Sequence, residues 1–173
     1  MTDAPIRPTV RFEILSNDHD REGFRCGSDE LDRYLRTQAR QDARKRVAAV
    51  LILTPDGRTV AGFYTLSQYS VELDELPETM ARRLPRYPVV PATLIGRLAL
   101  SLAYRGQGLG EILLMDALKR ALAGSRQIAS AAIVVDAKDT AAASFYEKYG
   151  FLRLPKIARR LFLPMGTVEE LFR

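Results

Sequence analysis

Residues 103–114 read AYRGQGLGEILL and carry three glycines, Gly106, Gly108 and Gly110, directly ahead of an apolar run. A glycine inside a helix costs roughly 1 kcal/mol relative to alanine, so glycines at a helix start need a compensating gain. The first four amides of a helix have no partner within it and carry partial positive charge. Because glycine has no Cβ, a diphosphate can approach these amides closely. The stretch therefore predicts an anion site, and the alternative is a glycine-rich helix entry that binds nothing.

The spacing of the glycines excludes two common nucleotide sites. The pattern G-x-G-x-G lacks the lysine and the hydroxyl residue of the P-loop. It also differs from the G-x-G-x-x-G of dinucleotide folds, and no strand-turn-helix stands near the N-terminus. The motif alone leaves the ligand open.

Outward from this stretch, hydrophobic periodicity predicts a mixed α/β chain around one sheet, in a single domain of residues 1–173. In the N-terminal half we predict a strand near 12–15, one helix over 26–46 capped by Ser28, and a hairpin of strands 47–53 and 59–67. An irregular stretch over 72–91 follows, with a short helix around 78–84. The rest of the chain alternates: strand 92–102, helix 108–123, strand 129–137, helix 139–151, strand 159–165 and a partial helix over 167–173.

Composition narrows the class of protein. The 173 residues are 47% hydrophobic and 27% charged, which is typical of a soluble domain. The only cysteine, Cys26, excludes an internal disulfide and fits the cytoplasm. The only histidine, His19, lies in a polar stretch where we expect it to be exposed, so we expect no Cys/His metal cluster and no Ser-His-Asp triad. No apolar run approaches the roughly 20 residues that span a bilayer, so we expect no membrane association.

Two motifs then point to a known family. Residues 105–110, RGQGLG, fit the R/Q-x-x-G-x-G/A signature of the GCN5-related N-acetyltransferases (GNAT). Residues 144–151, SFYEKYGF, resemble the family's second cofactor element, a helix with a tyrosine before a short strand. The resemblance implies a central, mixed but mostly antiparallel, twisted sheet with a V-shaped splay between its central strands and flanking helices. It also implies acetyl-CoA as cosubstrate, held by Leu98, Ala99, Leu100, Arg105, Gly106, Gln107, Gly108, Leu109, Gly110, Ser144, Phe145 and Tyr146.

A narrower resemblance runs from Phe24 to Pro164. The segments FRCGSDELDRYLRTQA, VAGFYTLS, YPVVPATLIGRLALS and RGQGLGEILLMDALKRAL are similar to the acetyltransferase toxins of type II toxin–antitoxin modules. Such toxins acetylate the α-amino group of aminoacyl-tRNA and so block translation. The resemblance implies a ribbon-helix-helix antitoxin and a homodimer as partners. One departure is Asp136, where these toxins often carry a histidine.

Transfer of an acetyl group from a thioester to an amine needs a neutral amine, a polarised carbonyl and a proton for the leaving thiolate. An α-amino group titrates near 7.7–8, so it needs no strong base, and we find no convincing His or Glu base. A backbone amide around Leu98–Leu100 can polarise the carbonyl oxygen. Tyrosine, with a pKa of about 10, is still protonated at neutral pH. The motif position of Tyr146 implies that it is the acid; packing alone is the alternative, and Tyr149 is the neighbouring candidate.

The acceptor is less well defined. The net charge is +5 and the isoelectric point about 9.6, which favours a polyanion such as tRNA. Each basic cluster alone also fits a solvated surface. Arg97 interrupts an apolar strand, so we expect it to meet a carboxylate or a carbonyl. The candidate tRNA contacts are Arg36, Arg40, Arg44, Lys45, Arg46, Arg82, Arg83, Arg86, Arg159 and Arg160.

Two other functions fit parts of the pattern. The acceptor can instead be a small amine, a peptide N-terminus or a lysine, because acceptor pockets are built from variable loops such as 68–92. A non-catalytic binding module is the second alternative, with a missing proton donor or a filled glycine loop as its signature.

Overall fold

A computed structural model describes residues 9–173 and shows the predicted strands and helices in order, together with a short strand at Leu152–Arg153 that hydrophobic periodicity does not predict. The strands are β1 Arg11–Ile14, β2 Ala49–Thr54, β3 Gly62–Glu72, β4 Val89–Leu100, β5 Ala132–Asp136, β6 Leu152–Arg153 and β7 Arg160–Pro164. The helices are α1 Asp29–Thr37, α2 Ala39–Arg44, α3 Glu78–Ala81, α4 Leu109–Ser125, α5 Thr140–Lys148 and α6 Met165–Leu171. Short 3-10 turns cover Leu73–Glu75 and Leu102–Tyr104.

The strands form one mixed sheet in the order β1-β2-β3-β4-β5-β7-β6. Strands β4 and β5 are parallel, and α4 connects them, whereas β1 with β2, β5 with β7 and β6 with β7 are antiparallel. The predicted fold class, a mostly antiparallel α/β sheet flanked by helices, is confirmed. Pairing of β4 with β5 covers Ala92–Ile95, and β4 runs on to Leu100.

The chain packs as two compact units, each with its own core. The first takes in the described residues up to Thr65 together with Arg97–Asp116. Its core gathers Tyr34 and Leu35 of α1 with Phe24, Phe63 and Ala99. The second comprises Leu66–Gly96 and Ala117–Arg173, and its core includes Val71, Val90, Val134 and Phe162.

The single helix predicted over 26–46 is wrong: Gln38, with φ −122° and ψ −34°, separates α1 from α2. The predicted cap is present, since Ser28 Oγ accepts the N–H of Leu31. Asp42 of α2 accepts the Tyr34 hydroxyl and the Gln38 side-chain amide, both at 2.9 Å. These two bonds connect α2 to Tyr34 of α1 and to Gln38 between the helices. Hydrophobic periodicity cannot predict them, because they depend on side-chain hydrogen bonding.

The expected exposure of His19 is also wrong, because its ring is buried. The Ser16 N–H donates to His19 Nδ1 at 3.0 Å, and Nε2 lies 3.0 Å from Glu13 Oε1. Both ring nitrogens of His19 have hydrogen-bond partners close in sequence, so burying the ring leaves neither nitrogen unpaired. His19 is therefore a structural residue of the loop that follows β1.

Within residues 9–173, the helices are too short or too polar for any of them to traverse a bilayer. The same part of the chain brings together no group of three His, Cys, Asp or Glu side chains suited to a metal ion.

Candidate active site

The glycine-rich loop between β4 and α4 is open on its outer side. Gly106 and Gly108 have φ of +79° and +76°, a conformation that side-chain-bearing residues rarely adopt. A Cβ at Gly106 would have no heavy atom within 4 Å. Leu109, the first residue of the 17-residue helix α4, is fully buried and anchors the helix start. The backbone at Gly106 is therefore unobstructed, as a pyrophosphate group needs, and the residues present fit acetyl-CoA at this position.

The entrance to this loop is tied to the segment that precedes α1. The N–H of Leu102 donates to the Arg25 carbonyl at 2.8 Å. Arg105 Nη2 donates to the Cys26 carbonyl at 2.7 Å. The Arg105 side chain is exposed and has further N–H donors, so the bond to Cys26 fixes the guanidinium without using it up.

The last residues of β4 lead directly into the loop. Ala99 is buried, and its carbonyl oxygen would lie 2.9 Å from a Cβ added at Gly62. Only glycine at that position of β3 permits this close approach of the two strands. Leu98 and Leu100 are partly buried and alternate with Ala99, so they lie on the opposite face of β4.

Helix α5 carries the candidate acid. Asp139 caps it, since its Oδ1 accepts the N–H of Ala142 at 2.8 Å, and Gly150, with φ +97°, follows its end. Tyr146 is 5% exposed, and its ring packs edge-on against Phe145 and Phe151, with centroids 5.3 and 5.4 Å away. Among residues 9–173 its hydroxyl has no hydrogen-bond partner, and burial alone raises the pKa of the phenol.

The neighbours of Tyr146 differ from it in exposure. Ser144 is exposed and Phe145 is partly buried. The Phe145 ring also contacts the ring of Tyr149, with centroids 5.2 Å apart. Lys148 Nζ lies 5.7 Å from the centroid of the Tyr149 ring, at the end of the helix.

The basic candidates of the first unit lie on and after its two helices. Arg36 is partly buried, and its carbonyl accepts from Arg21 Nη1 at 3.0 Å. The other four candidates have exposed side chains and are Arg40, Arg44, Lys45 and Arg46. Arg46 also has a left-handed φ of +59°.

Several of the basic candidates of the second unit bond to other residues of the protein. Arg82 forms an exposed ion pair with Glu78 at 2.7 Å, and Arg159 Nη1 donates to the Lys138 carbonyl at 2.8 Å. Arg160 forms a bidentate pair with Asp136, with N···O distances of 2.7 and 3.0 Å. The Asp136 carboxylate therefore holds Arg160 and raises the pKa of its guanidinium. Arg83 and Arg86 are exposed.

The irregular stretch over 72–91 covers part of the second unit. It borders a cavity of about 470 Å³ whose apolar wall includes Leu76, Met80 and Leu84 of this stretch and Phe162 of β7. Exposed charges, including those of Arg83 and Glu170, stand at its rim.

Arg97 has a different partner from the carboxylate or carbonyl that we expected. Its guanidinium carbon lies 3.6 Å from the centroid of the Tyr34 ring, so the aromatic face takes the place of a hydrogen-bond acceptor. Sequence reasoning missed Tyr34 and Asp42, because their roles depend on contacts between distant segments. The sequence places Tyr34 beside Leu31 and Leu35 on the apolar face of α1, which indicates burial but not its contacts with Asp42 and Arg97.

Comparison with known proteins identifies the family. The acetyltransferase (GNAT) family matches residues 12–151. A probable toxin TacT of Sinorhizobium fredii is 33% identical over 163 residues, which cover 90% of each chain. A tRNA-acetylating toxin of Mycobacterium tuberculosis is 34% identical over 157 residues, which cover 91% of this chain and 93% of that toxin. The chain belongs to the GNAT family of acetyltransferases.

Solved structures of the toxin AtaT share the fold. AtaT complexed with acetyl-methionyl-tRNAfMet has a TM-score of 0.88 and 29% identity, covering 95% of this chain and all of the other (100%). AtaTR bound with AcCoA has a TM-score of 0.84 and 29% identity, with coverage of 95% and 98%. A mutant AtaT bound to the C-terminus of the antitoxin AtaR has a TM-score of 0.81 and 27% identity, with coverage of 94% and 98%.

Proposed function

We propose that this acetyltransferase is a toxin that transfers the acetyl group of acetyl-CoA to the α-amino group of aminoacyl-tRNA and thereby blocks translation. The observation that carries the proposal is the open glycine loop ahead of α4, because its backbone suits a pyrophosphate. The similarity to toxins named for tRNA acetylation and solved with acetyl-CoA or acetylated tRNA supports the acceptor.

The roles follow from the positions of the residues. The loop 105–110 binds the pyrophosphate through its amides, and Arg105 adds a cation. A backbone N–H of Leu98–Leu100 donates to the thioester oxygen, on which negative charge develops. Ser144 and Phe145 lie beside Tyr146 on the helix that we assign to cofactor binding.

The reaction needs one proton donor from the protein. The neutral amine attacks the thioester carbonyl carbon, a C–N bond forms, and the C–S bond breaks. Tyr146 gives its hydroxyl proton to the leaving thiolate, and the attacking nitrogen loses its proton to water. A proton from solvent then returns to the Tyr146 phenolate and restores the acid for the next turnover. Burial keeps the Tyr146 phenol protonated until the thiolate is formed, so the hydroxyl suits an acid better than a base.

The partners follow from this assignment. The exposed cations Arg40, Arg44, Lys45 and Arg46, with Arg36 of α1, are proposed contacts for tRNA phosphates. Arg82, Arg83, Arg86 and Arg159 are proposed contacts in the second unit. An antitoxin is the proposed regulator, supported by the AtaR complex of AtaT, and we propose a homodimer in the cytoplasm as the working form.

Incubation with labelled acetyl-CoA and total aminoacyl-tRNA tests the proposal. We expect label on the amino acid of at least one aminoacyl-tRNA, with deacylated tRNA as the control. We also expect the rate to fall steeply between 50 and 200 mM salt, because phosphate contacts release counterions. Label on a small amine alone, a flat salt response and normal growth on expression without an antitoxin would instead favour a small-molecule acetyltransferase.

A further inference from the structure

Arg97 is a cation held in an unusual setting near the end of β4. The residue is partly buried, and its face of the strand also carries Ala99, a member of the same core as Tyr34. Its backbone N–H donates to the Thr65 hydroxyl at 3.1 Å, which fixes the strand at this position. Side-chain entropy makes a partly buried arginine costly to order, so its retention in an apolar strand calls for a function.

The ring beneath the guanidinium is itself rigid. Tyr34 is 6% exposed, and its ring stacks on Phe63 with an interplanar angle of 17°. Its hydroxyl donates to Asp42 Oδ2 at 2.9 Å. A guanidinium stacked on such a ring is oriented in advance, so binding a ligand costs it little further entropy.

The hydrogen-bonding edge of this guanidinium is left open. A guanidinium has five N–H donors, and within residues 9–173 none of those of Arg97 meets a carboxylate or a carbonyl. The Tyr34 ring covers one face and provides no lone pair in the plane of the donors. Stacking of this kind leaves the planar fork available for two parallel bonds to a phosphate.

We infer that Arg97 binds the phosphodiester group nearest the reacting amine of the acceptor; this inference rests on the proposed function. An aminoacyl ester has no free carboxylate, so the closest anion to its amine is the 5′-phosphate of the terminal nucleotide. Arg97 directly precedes Leu98–Leu100, the segment assigned to the thioester. A phosphate bound by the Arg97 guanidinium lies at a fixed distance from the acetyl carbonyl. Arg97 is therefore a specificity-determining residue for nucleotide-linked amines.

The test compares two inhibitors of tRNA acetylation that differ by a nucleotide and its phosphodiester. Cytidylyl-(3′→5′)-adenosine contains the phosphodiester and adenosine does not. We expect the dinucleotide to inhibit the wild-type protein roughly ten- to a hundredfold better than adenosine, the range of hydrogen bonds to a charged group. In Arg97→Gln this advantage disappears, and the KM for aminoacyl-tRNA rises by a similar factor while acetyl-CoA affinity is kept. Arg97→Lys retains the charge without the fork and gives an intermediate result.

Arg58→Gln is the matched control, since Arg58 is an exposed arginine in the turn before β3. It should leave the KM and the inhibition ratio unchanged. Thermal unfolding checks that each variant is folded, and Tyr34→Phe, which keeps the ring, should preserve most of the ratio. Equal inhibition by both compounds in the wild type, or an unchanged ratio in folded Arg97→Gln, overturns the inference while the proposed function stands. Failure of the wild type to acetylate any aminoacyl-tRNA overturns both.

Discussion

The glycine loop and helix α5 supply the proposed chemistry in opposite ways. The loop 105–110 acts through backbone amides and works because side chains are missing: a Cβ at Gly106 would point into open space. Helix α5 acts through one oxygen atom, on a ring packed between Phe145 and Phe151. In the proposed mechanism, therefore, binding energy is spread over several amides, whereas proton transfer depends on a single atom. Substitutions in the two regions should therefore affect different kinetic constants.

The largest effect is expected from Tyr146→Phe, which removes the hydroxyl and keeps the ring. We expect kcat to fall about 100-fold or more, the usual contribution of a general acid. Acetyl-CoA affinity should stay within a few-fold, because no amide of the loop changes. Single-turnover kinetics and calorimetry separate the two constants, with Tyr149→Phe as the control. Full turnover in Tyr146→Phe would remove the assignment.

A smaller effect is expected from Gly108→Ala, and it should fall on acetyl-CoA binding instead of on kcat. The φ of +76° at this position costs a non-glycine residue roughly 1–2 kcal/mol, so the loop either strains or shifts. We expect the Kd for acetyl-CoA to rise about tenfold, with kcat at saturation nearly unchanged. Gly124→Ala is the matched control, because Gly124 lies within α4 and a Cβ there meets no atom within 4 Å. A fall in kcat without a change in Kd would contradict the division of roles.

The helix caps allow a comparison of stability between the two units. Asp139→Ala removes a 2.8 Å bond to the Ala142 N–H at the start of α5 and should cost about 1 kcal/mol. Ser28→Ala removes a longer bond of 3.4 Å at the start of α1 and should cost less. Denaturant unfolding of both variants measures the difference. An equal or reversed order would contradict the prediction that the shorter cap bond of α5 contributes more stability than that of α1.

The smallest effect is expected from pH. Burial disfavours the phenolate of Tyr146 and raises its pKa above the ordinary value near 10, so the proton-donating form persists at alkaline pH. We expect kcat to stay level from pH 8 to 10. Because the folded pKa exceeds the unfolded one, the tyrosine's contribution to the free energy of unfolding is complete below pH 10 and is lost as pH rises further. A decline of kcat in Tyr146-dependent turnover between pH 8 and 9 would contradict this.

Sequence reasoning predicted the features that depend on neighbouring residues. The glycine loop, α4 and α5 all have signals within a few positions. It failed where a distant contact decides the outcome. Tyr34 of α1 donates to Asp42 of α2, and the same Tyr34 ring contacts Arg97, which comes from a strand far along the chain.

Cys26, Gly27 and Ser28 form a junction with consequences for protein engineering. The Cys26 carbonyl accepts from Arg105 of the loop 105–110, while the Cys26 N–H donates to Asp32 of α1, and Ser28 caps that helix. Circular permutants opened between Gly27 and Ser28 would separate Cys26, which binds Arg105, from the capped start of α1. New termini or reporter insertions are better placed in the exposed stretch after α4, around Gln127.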